Sequence, residues 1–165
     1  MLDTSEFFKK LLKCIFLTLF LSLFITGCNT KSETVDLFQY KDSFIGDAST
    51  VSGIVRQLPN SEIFNDMELK TKTQPYGMIL NYNSMMNHEE INETIIYNAS
   101  YLFALVKNAD WIIFQFGDQT VEVTKKQMQD WYGEDLSSFT NEEDLNKLIQ
   151  SNVVDEMKVK LLFEE

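Results

Sequence analysis

The single histidine of this 165-residue chain, His88, stands among groups that could bind a metal ion. Methionine thioethers precede it at positions 85 and 86, and the carboxylates of Glu89, Glu90 and Glu93 follow it. Thioethers with an imidazole would suit Cu(I), whereas the carboxylates would suit a harder ion. One histidine and two methionines without a cysteine are too few strong ligands for a metal site. We therefore interpret the segment as the acidic first turn of a helix and expect no metal site.

Carboxylates and serines elsewhere in the chain form no recognisable catalytic pattern. Acidic groups at positions 134–135, 142–144 and 155–156 could bind Ca²⁺ or act as paired carboxylates, but the sequence contains no D-x-[DN]-x-[DN]-G loop. The serines lie outside G-x-S-x-G and S-x-x-K contexts, and there is no glycine-rich phosphate loop. We therefore predict no catalytic residue and no cofactor.

A polar segment ahead of the first predicted helix is the best candidate for a binding edge. It contains Tyr40, Lys41, Ser43, Gly46 and Asp47, of which Lys41 and Asp47 could form an ion pair. Backbone N–H groups at a helix N-terminus favour anions, which would give the segment a ligand. The alternative is structural: Gly46 would supply a positive φ for a turn, and Asp47 would cap the helix.

The charge balance restricts the kinds of partner that the chain can bind. It contains 14 Lys and Arg against 25 Asp and Glu, which gives a net charge of −11 at pH 7. Nucleic-acid binding requires a clustered basic surface that meets the phosphates. We therefore predict that nucleic acid is not a partner.

Residues 1–27 have the layout of an export signal. Lysines at positions 9, 10 and 13 precede a 12-residue apolar run, residues 14–25, which is short for a membrane-spanning helix of about 20 residues. The run ends in Ile25-Thr26-Gly27-Cys28, which resembles the lipobox of bacterial lipoproteins. The resemblance implies cleavage after Gly27 and a diacylglycerol on the Cys28 thiol. The alternative is an uncleaved anchor helix.

Both alternatives place the rest of the chain outside the cytoplasm, at the cell membrane. A lipid on Cys28 would make the membrane itself a partner, because two acyl chains at about 0.8 kcal/mol per buried CH₂ hold a protein durably. Residues 28–36 are polar and are predicted to form a tether of at most about 30 Å. Since Cys14 leaves with the signal and Cys28 is modified, the mature domain has no thiol to form a disulfide.

Four helices are predicted in the remaining residues, 37–165. Each begins at a residue whose side chain can cap it: Asp47, Asn87, Thr124 and Thr140. The second is the strongest, because Glu90 completes a capping box with Asn87 and an apolar stripe follows. Gly133 closes the third helix. Residues 153–163 stay open between strand and helix, since their alternation is interrupted by charge.

Four strands are predicted as two hairpins: residues 67–72 with 76–82, and residues 111–116 with 119–124. Gly117-Asp118 between the second pair suits a type II′ turn. We predict one α+β domain with an antiparallel sheet built from the two hairpins and with helices packed mainly on one face. The aromatic side chains near the second hairpin are Trp111, Phe114, Phe116, Trp131 and Tyr132. They are expected mostly in its core, and the alternative is a partner surface formed by the two tryptophans.

Segments at residues 37–47, 54–59, 68–72 and 75–82 resemble a family of bacillar lipoproteins that share a domain of unknown function, over about residues 37–133. The family has no assigned catalytic residues to carry over. Similar domains follow membrane-embedded zinc peptidases of the antibiotic-sensor type, which implies a partner or a sensory role outside the membrane. The H-E-x-x-H motif of those peptidases is not matched, because Asn92 stands where the second histidine would be.

These patterns predict a non-catalytic binding or sensor module, tethered to the cell membrane, with an envelope or membrane protein or a small ligand as its partner. Binding would use one face of the sheet or the segment from Tyr40 to Asp47. One alternative is an accessory subunit of a membrane peptidase or transporter. Another is a cation-handling or carboxylate-dependent envelope enzyme that uses His88.

Overall fold

The structure, a computed structural model, describes residues 36–83 and 86–163. Within these ranges the chain forms five α-helices: α1 (Ala48–Val55), α2 (His88–Leu105), α3 (Lys125–Tyr132), α4 (Glu142–Val153) and α5 (Glu156–Phe163). The strands are β1 (Phe64–Lys70), β2 (Gly77–Tyr82), β3 (Trp111–Phe116) and β4 (Gln119–Thr124). None of these helices has the length and hydropathy needed to cross a membrane. The predicted signal and lipobox, residues 1–28, lie outside the described residues.

The helices begin where capping side chains place them. The carboxylate of Asp47 accepts from the backbone N–H of Thr50 at the start of α1. At the start of α2, Asn87 and Glu90 form the predicted capping box. The fourth helix is capped by Asn141, one residue later than predicted. The open segment, residues 153–163, is helical over α5.

The sheet has the order β1-β2-β3-β4, and both predicted hairpins are present. β1 pairs with β2 and β3 with β4 in antiparallel fashion, but β2 and β3 are parallel. The α+β class is confirmed and the sheet is mostly antiparallel, but the parallel pair between the two hairpins departs from the predicted antiparallel sheet. The reason lies in α2: a helix of 18 residues is about 27 Å long, so it carries the chain back to the end at which β2 began.

Side chains alternate between the two faces of the sheet, and the described helices pack on one of them. The inner face is fully buried on the central strands, with Met78, Leu80 and Tyr82 from β2 beside Ile112, Phe114 and Phe116 from β3. The rings of Tyr82 and Phe116 are stacked, with centroids 4.8 Å apart. This face supplies the sheet side of the core.

Within the described residues, helix α2 lies between the sheet and a layer formed by α1, α3 and α4. Every residue from position 98 to 106 is buried, which is typical of a helix covered on all sides. Its buried polar groups bond to both neighbours: the Asn98 amide donates to the hydroxyl of Tyr82 on β2 (3.0 Å), and the hydroxyls of Ser100 and Tyr132 on α3 share a hydrogen bond of 2.8 Å.

Candidate functional site

The segment predicted as a binding edge is folded against the C-terminal end of α2. The ammonium group of Lys41 donates to the carbonyl oxygens of Ala104 (2.8 Å) and Ser137 (2.7 Å). Burial lowers the pKa of Lys41, while Asp42 and Asp135 act in the opposite direction. Lys41 therefore caps helical carbonyls and bridges two parts of the fold, and it does not pair with Asp47.

Ser43 joins the same contact through its backbone. Its N–H donates to the carbonyl oxygen of Leu105 (3.1 Å), and its own carbonyl oxygen accepts from Lys107 (3.0 Å). The hydroxyl of Ser43 donates to the carbonyl oxygen of Tyr40, whose ring packs against the core. The polar groups of Lys41 and Ser43 thus form hydrogen bonds within the protein itself.

Gly46 and Asp47 lie at the other end of the segment. Asp47 accepts from the hydroxyls of Ser49 and Thr50, and these bonds hold the pKa of its carboxyl below its usual value. The expectation of a positive φ at Gly46 is wrong, because the left-handed conformation is found at Asp42 instead (φ 64°). A ligand role for Tyr40, Lys41, Ser43, Gly46 and Asp47 stays a prediction.

His88 and its acidic neighbours lie exposed in the first turn of α2. The Glu90 carboxylate accepts from the backbone N–H of Asn87 at 3.0 Å, so it is already engaged in the capping box. Across residues 36–83 and 86–163, no three His, Cys, Asp or Glu side chains are grouped so that they could hold a metal ion. The arrangement shown is that of a capped helix start.

The second face of the sheet, which we call the outer face, is the other candidate. It consists of alternate residues of the four strands: Asp66, Glu68, Lys70, Gly77, Ile79, Asn81, Trp111, Ile113, Gln115, Thr120, Glu122 and Thr124. Its centre is apolar, because Ile79, Ile113 and Trp111 lie on the two middle strands. These side chains are half-buried by their neighbours on the sheet and lie outside the continuous core.

Trp111 is held flat against the outer face by a glycine beneath it. A Cβ at Gly77 would lie only 2.0 Å from the indole Cδ2, so no other residue fits there without moving the ring. The indole N–H donates to the carbonyl oxygen of Pro75 at 3.0 Å. The expectation that Trp111 belongs to the core is therefore wrong, and the residue at position 77 must be glycine for this close contact to form.

Acidic side chains border the apolar centre on both outer strands. In the middle row, Glu68 of β1 and Glu122 of β4 flank Ile79 and Ile113. Glu68 forms a salt bridge with Lys70. Glu122 makes no ion pair or side-chain hydrogen bond with the described residues. The outer face thus combines an apolar centre with a net negative border.

The sequence does contain a signal for the outer face. Residues 111–114 are apolar without interruption, and so are residues 78–80. Such runs are typical of strands that are buried on both faces, whereas a strand with one solvated face alternates. Since the described helices cover only the inner face, these runs indicate a second apolar surface on the sheet.

A family model matches part of the chain. The family model described as Domain of unknown function (DUF4825) matches residues 37–129, which include all four strands and the whole outer face. None of the curated proteins and none of the solved structures compared with the chain matches it. Because the family model covers more than half of the 165 residues, the chain belongs to the DUF4825 family.

Proposed function

We propose that the protein is a non-catalytic binding module whose outer face takes a protein partner in the cell envelope. A lipid on Cys28 holds it at the extracytoplasmic side of the cell membrane. The proposal rests on the apolar centre of the outer face, which no element of the described part of the chain covers, and where Trp111 is fixed by Gly77 and by its hydrogen bond to Pro75. A rigid aromatic side chain on an open surface is typical of binding hot spots.

The outer face is better suited to a partner than the segment from Tyr40 to Asp47. The polar groups of that segment bond to the protein itself, through the carbonyl oxygens of Ala104 and Ser137 among others. At the outer face, the apolar surface of Ile79 and Ile113 has no covering element among the described residues. Burying this surface against a partner would remove it from water, at about 25 cal/mol per Å².

A photo-crosslinking amino acid at Ile113 tests the binding site in the producing cells. We expect a discrete adduct, and we expect Ile79→Asp to abolish it, because a carboxylate on the neighbouring strand would have to be buried in the interface. The matched control is Met157→Asp. Met157 is 76% exposed on α5, which packs against α3 and α4, so the same change there should leave the adduct intact. An adduct that survives Ile79→Asp would overturn the proposal.

The membrane tether is tested separately. Mass spectrometry of the mature protein should find residue 28 at the N-terminus with a diacylglycerol on its thiol. A Cys28→Ser variant should leave the membrane fraction, because the acyl chains supply the binding free energy. A free thiol at Cys28 in the purified protein would refute the tether and leave the binding role of the outer face open to its own test.

A further inference from the structure

The border of the outer face points to the shape of its partner, an inference that rests on the proposed function. We infer that the outer face binds an amphipathic α-helix whose apolar stripe is flanked by lysine or arginine on both sides. The inference rests on the middle row of the outer face, in which Glu68 and Glu122 lie on opposite sides of Ile79 and Ile113.

The width of the outer face matches a helix. Neighbouring strands lie about 4.8 Å apart, so three spacings separate Glu68 on β1 from Glu122 on β4 by about 14 Å. An α-helix with its side chains is about 10–12 Å across. A helix laid on Ile79 and Ile113 therefore fits between the two carboxylates, and long basic side chains on its flanks reach them while their stems cover apolar surface.

The spacing along the strands agrees with this fit. Trp111 and Ile113 are two residues apart on β3, which corresponds to about 6.6 Å. Helical residues i and i+4 are about 6 Å apart along the axis and lie on one side of the helix. An extended segment projects alternate side chains up and down, so it cannot press apolar residues onto the outer face and also present cations to both sides.

The charges of the outer face select a basic partner. It carries three carboxylates, from Asp66, Glu68 and Glu122, against the single ammonium of Lys70. A second copy of this chain would bring the same acidic border against itself, which is unfavourable. The chain as a whole has a net charge of −11, and this field would draw a basic segment towards it.

Three synthetic 14-residue peptides provide the test. The first places leucine and lysine at helical spacing, with lysines on both flanks of the leucine stripe; the second has the same composition in strict alternation; the third replaces lysine by glutamate. The receptor is the full chain carrying Trp131→Phe in uncharged phosphatidylcholine vesicles, with empty vesicles as the reference. The chain has two tryptophans, so its tryptophan fluorescence then comes from Trp111 alone.

We expect the helical lysine peptide to shift the Trp111 emission and to bind at least tenfold more tightly than the other two peptides. Glu68→Gln combined with Glu122→Gln should weaken this binding about three- to tenfold, as expected for two exposed ion pairs. The matched control is Glu134→Gln combined with Glu156→Gln, which removes the same charge from exposed positions outside the sheet. In 0.5 M salt the double variant and the parent protein should converge.

A failure of the basic-helix partner can be distinguished from a failure of the proposed binding function. Equal binding of the alternating peptide, or equal loss in the control double variant, overturns the basic helix but leaves a binding face. An Ile113 adduct with a second copy of the chain also overturns it. If no peptide shifts Trp111 while the Ile113 adduct persists in cells, the partner is not a basic helix. If the adduct is absent as well, the proposed function fails.

Discussion

The two faces of one sheet use similar residues for different purposes. On β3, Ile112 and Phe114 point to the inner face and are fully buried, whereas Ile113 and Trp111 point to the outer face and are only half-buried. The inner residues contact α2 and the rest of the core. Apolar character alone therefore does not distinguish a residue that the core buries from one that the described residues leave half-exposed.

Removing a large side chain from each face should give the largest contrast. Phe114→Ala leaves a cavity in a fully buried site, and we expect it to lower the free energy of unfolding by about 3–5 kcal/mol. Ile113→Ala should lower it by less than about 1 kcal/mol, because the side chain is half-exposed and its site can be filled by water. Urea unfolding of both variants measures the difference. Equal losses would show that the outer face belongs to the core.

Alkaline pH should act on the inner face through Tyr82. Burial raises the pKa of this hydroxyl from 10.0 to about 12, with the hydrogen bond from Asn98 acting in the opposite direction. As the pH rises, the unfolded chain therefore loses this proton before the folded chain does. The contribution of Tyr82 to the free energy of unfolding is fully present below pH 10 and declines towards pH 12. This difference between the two pKa values corresponds to about 2.7 kcal/mol in the free energy of unfolding.

The variant Tyr82→Phe isolates this contribution. Its free energy of unfolding should fall less between pH 9 and pH 11.5 than that of the parent protein. As a control, Glu122→Gln on the outer face should show the same fall in free energy of unfolding over this pH range as the parent protein. Burial also raises the pKa of Tyr101 and Tyr132, so part of the alkaline loss remains in Tyr82→Phe. An unchanged slope would mean that Tyr82 is not buried against α2.

Gly77→Ala tests how the outer face is built. The new methyl group would meet the indole of Trp111 at about 2.0 Å, so the ring must leave its place and lose its bond to Pro75. We expect a loss of about 1–3 kcal/mol, as for overpacked sites. Trp111→Ala should remove most of that cost, so the double variant should be less destabilised than the sum of the two. Additive losses would contradict the contact.

The smallest effect on stability is expected from Glu122→Gln. The residue is exposed and has no ion pair with the described residues, so the free energy of unfolding should change by less than about 0.5 kcal/mol. Binding of the helical lysine peptide should nevertheless weaken. A thermal unfolding curve paired with the Trp111 titration measures both quantities. A change in stability with unchanged binding would show that Glu122 supports the fold and does not contact the peptide.

Local chemistry explains why much of the fold could be predicted from the sequence. The capping box of Asn87 and Glu90, the N-cap at Asp47 and the left-handed Gly133 (φ 73°) involve residues at most four positions apart, and all were found. The hairpin strands follow from short strand-forming segments on either side of a turn. Such interactions are fixed by sequence neighbours, so the rest of the chain is not needed to recognise them.

Long-range contacts account for what could not be predicted. The parallel pairing of β2 with β3 depends on where α2 returns the chain. The need for Gly77 depends on an indole 34 positions away, and the bonds of Lys41 reach 63 and 96 positions along the chain. The sequence contains the continuous apolar runs of β2 and β3 at the candidate site, but only the sheet shows which of these residues no helix of residues 36–83 and 86–163 covers.

The position of α2 between two layers has a consequence for the limits of the domain. The match to the family model ends at residue 129, yet Leu136, Leu145 and Ile149 lie beyond that limit and are fully buried. They belong to the layer that covers the side of α2 opposite the sheet. A chain cut at residue 129 would expose the second side of that helix to water. In this chain, the residues that cover α2 therefore extend beyond the segment that the family model matches.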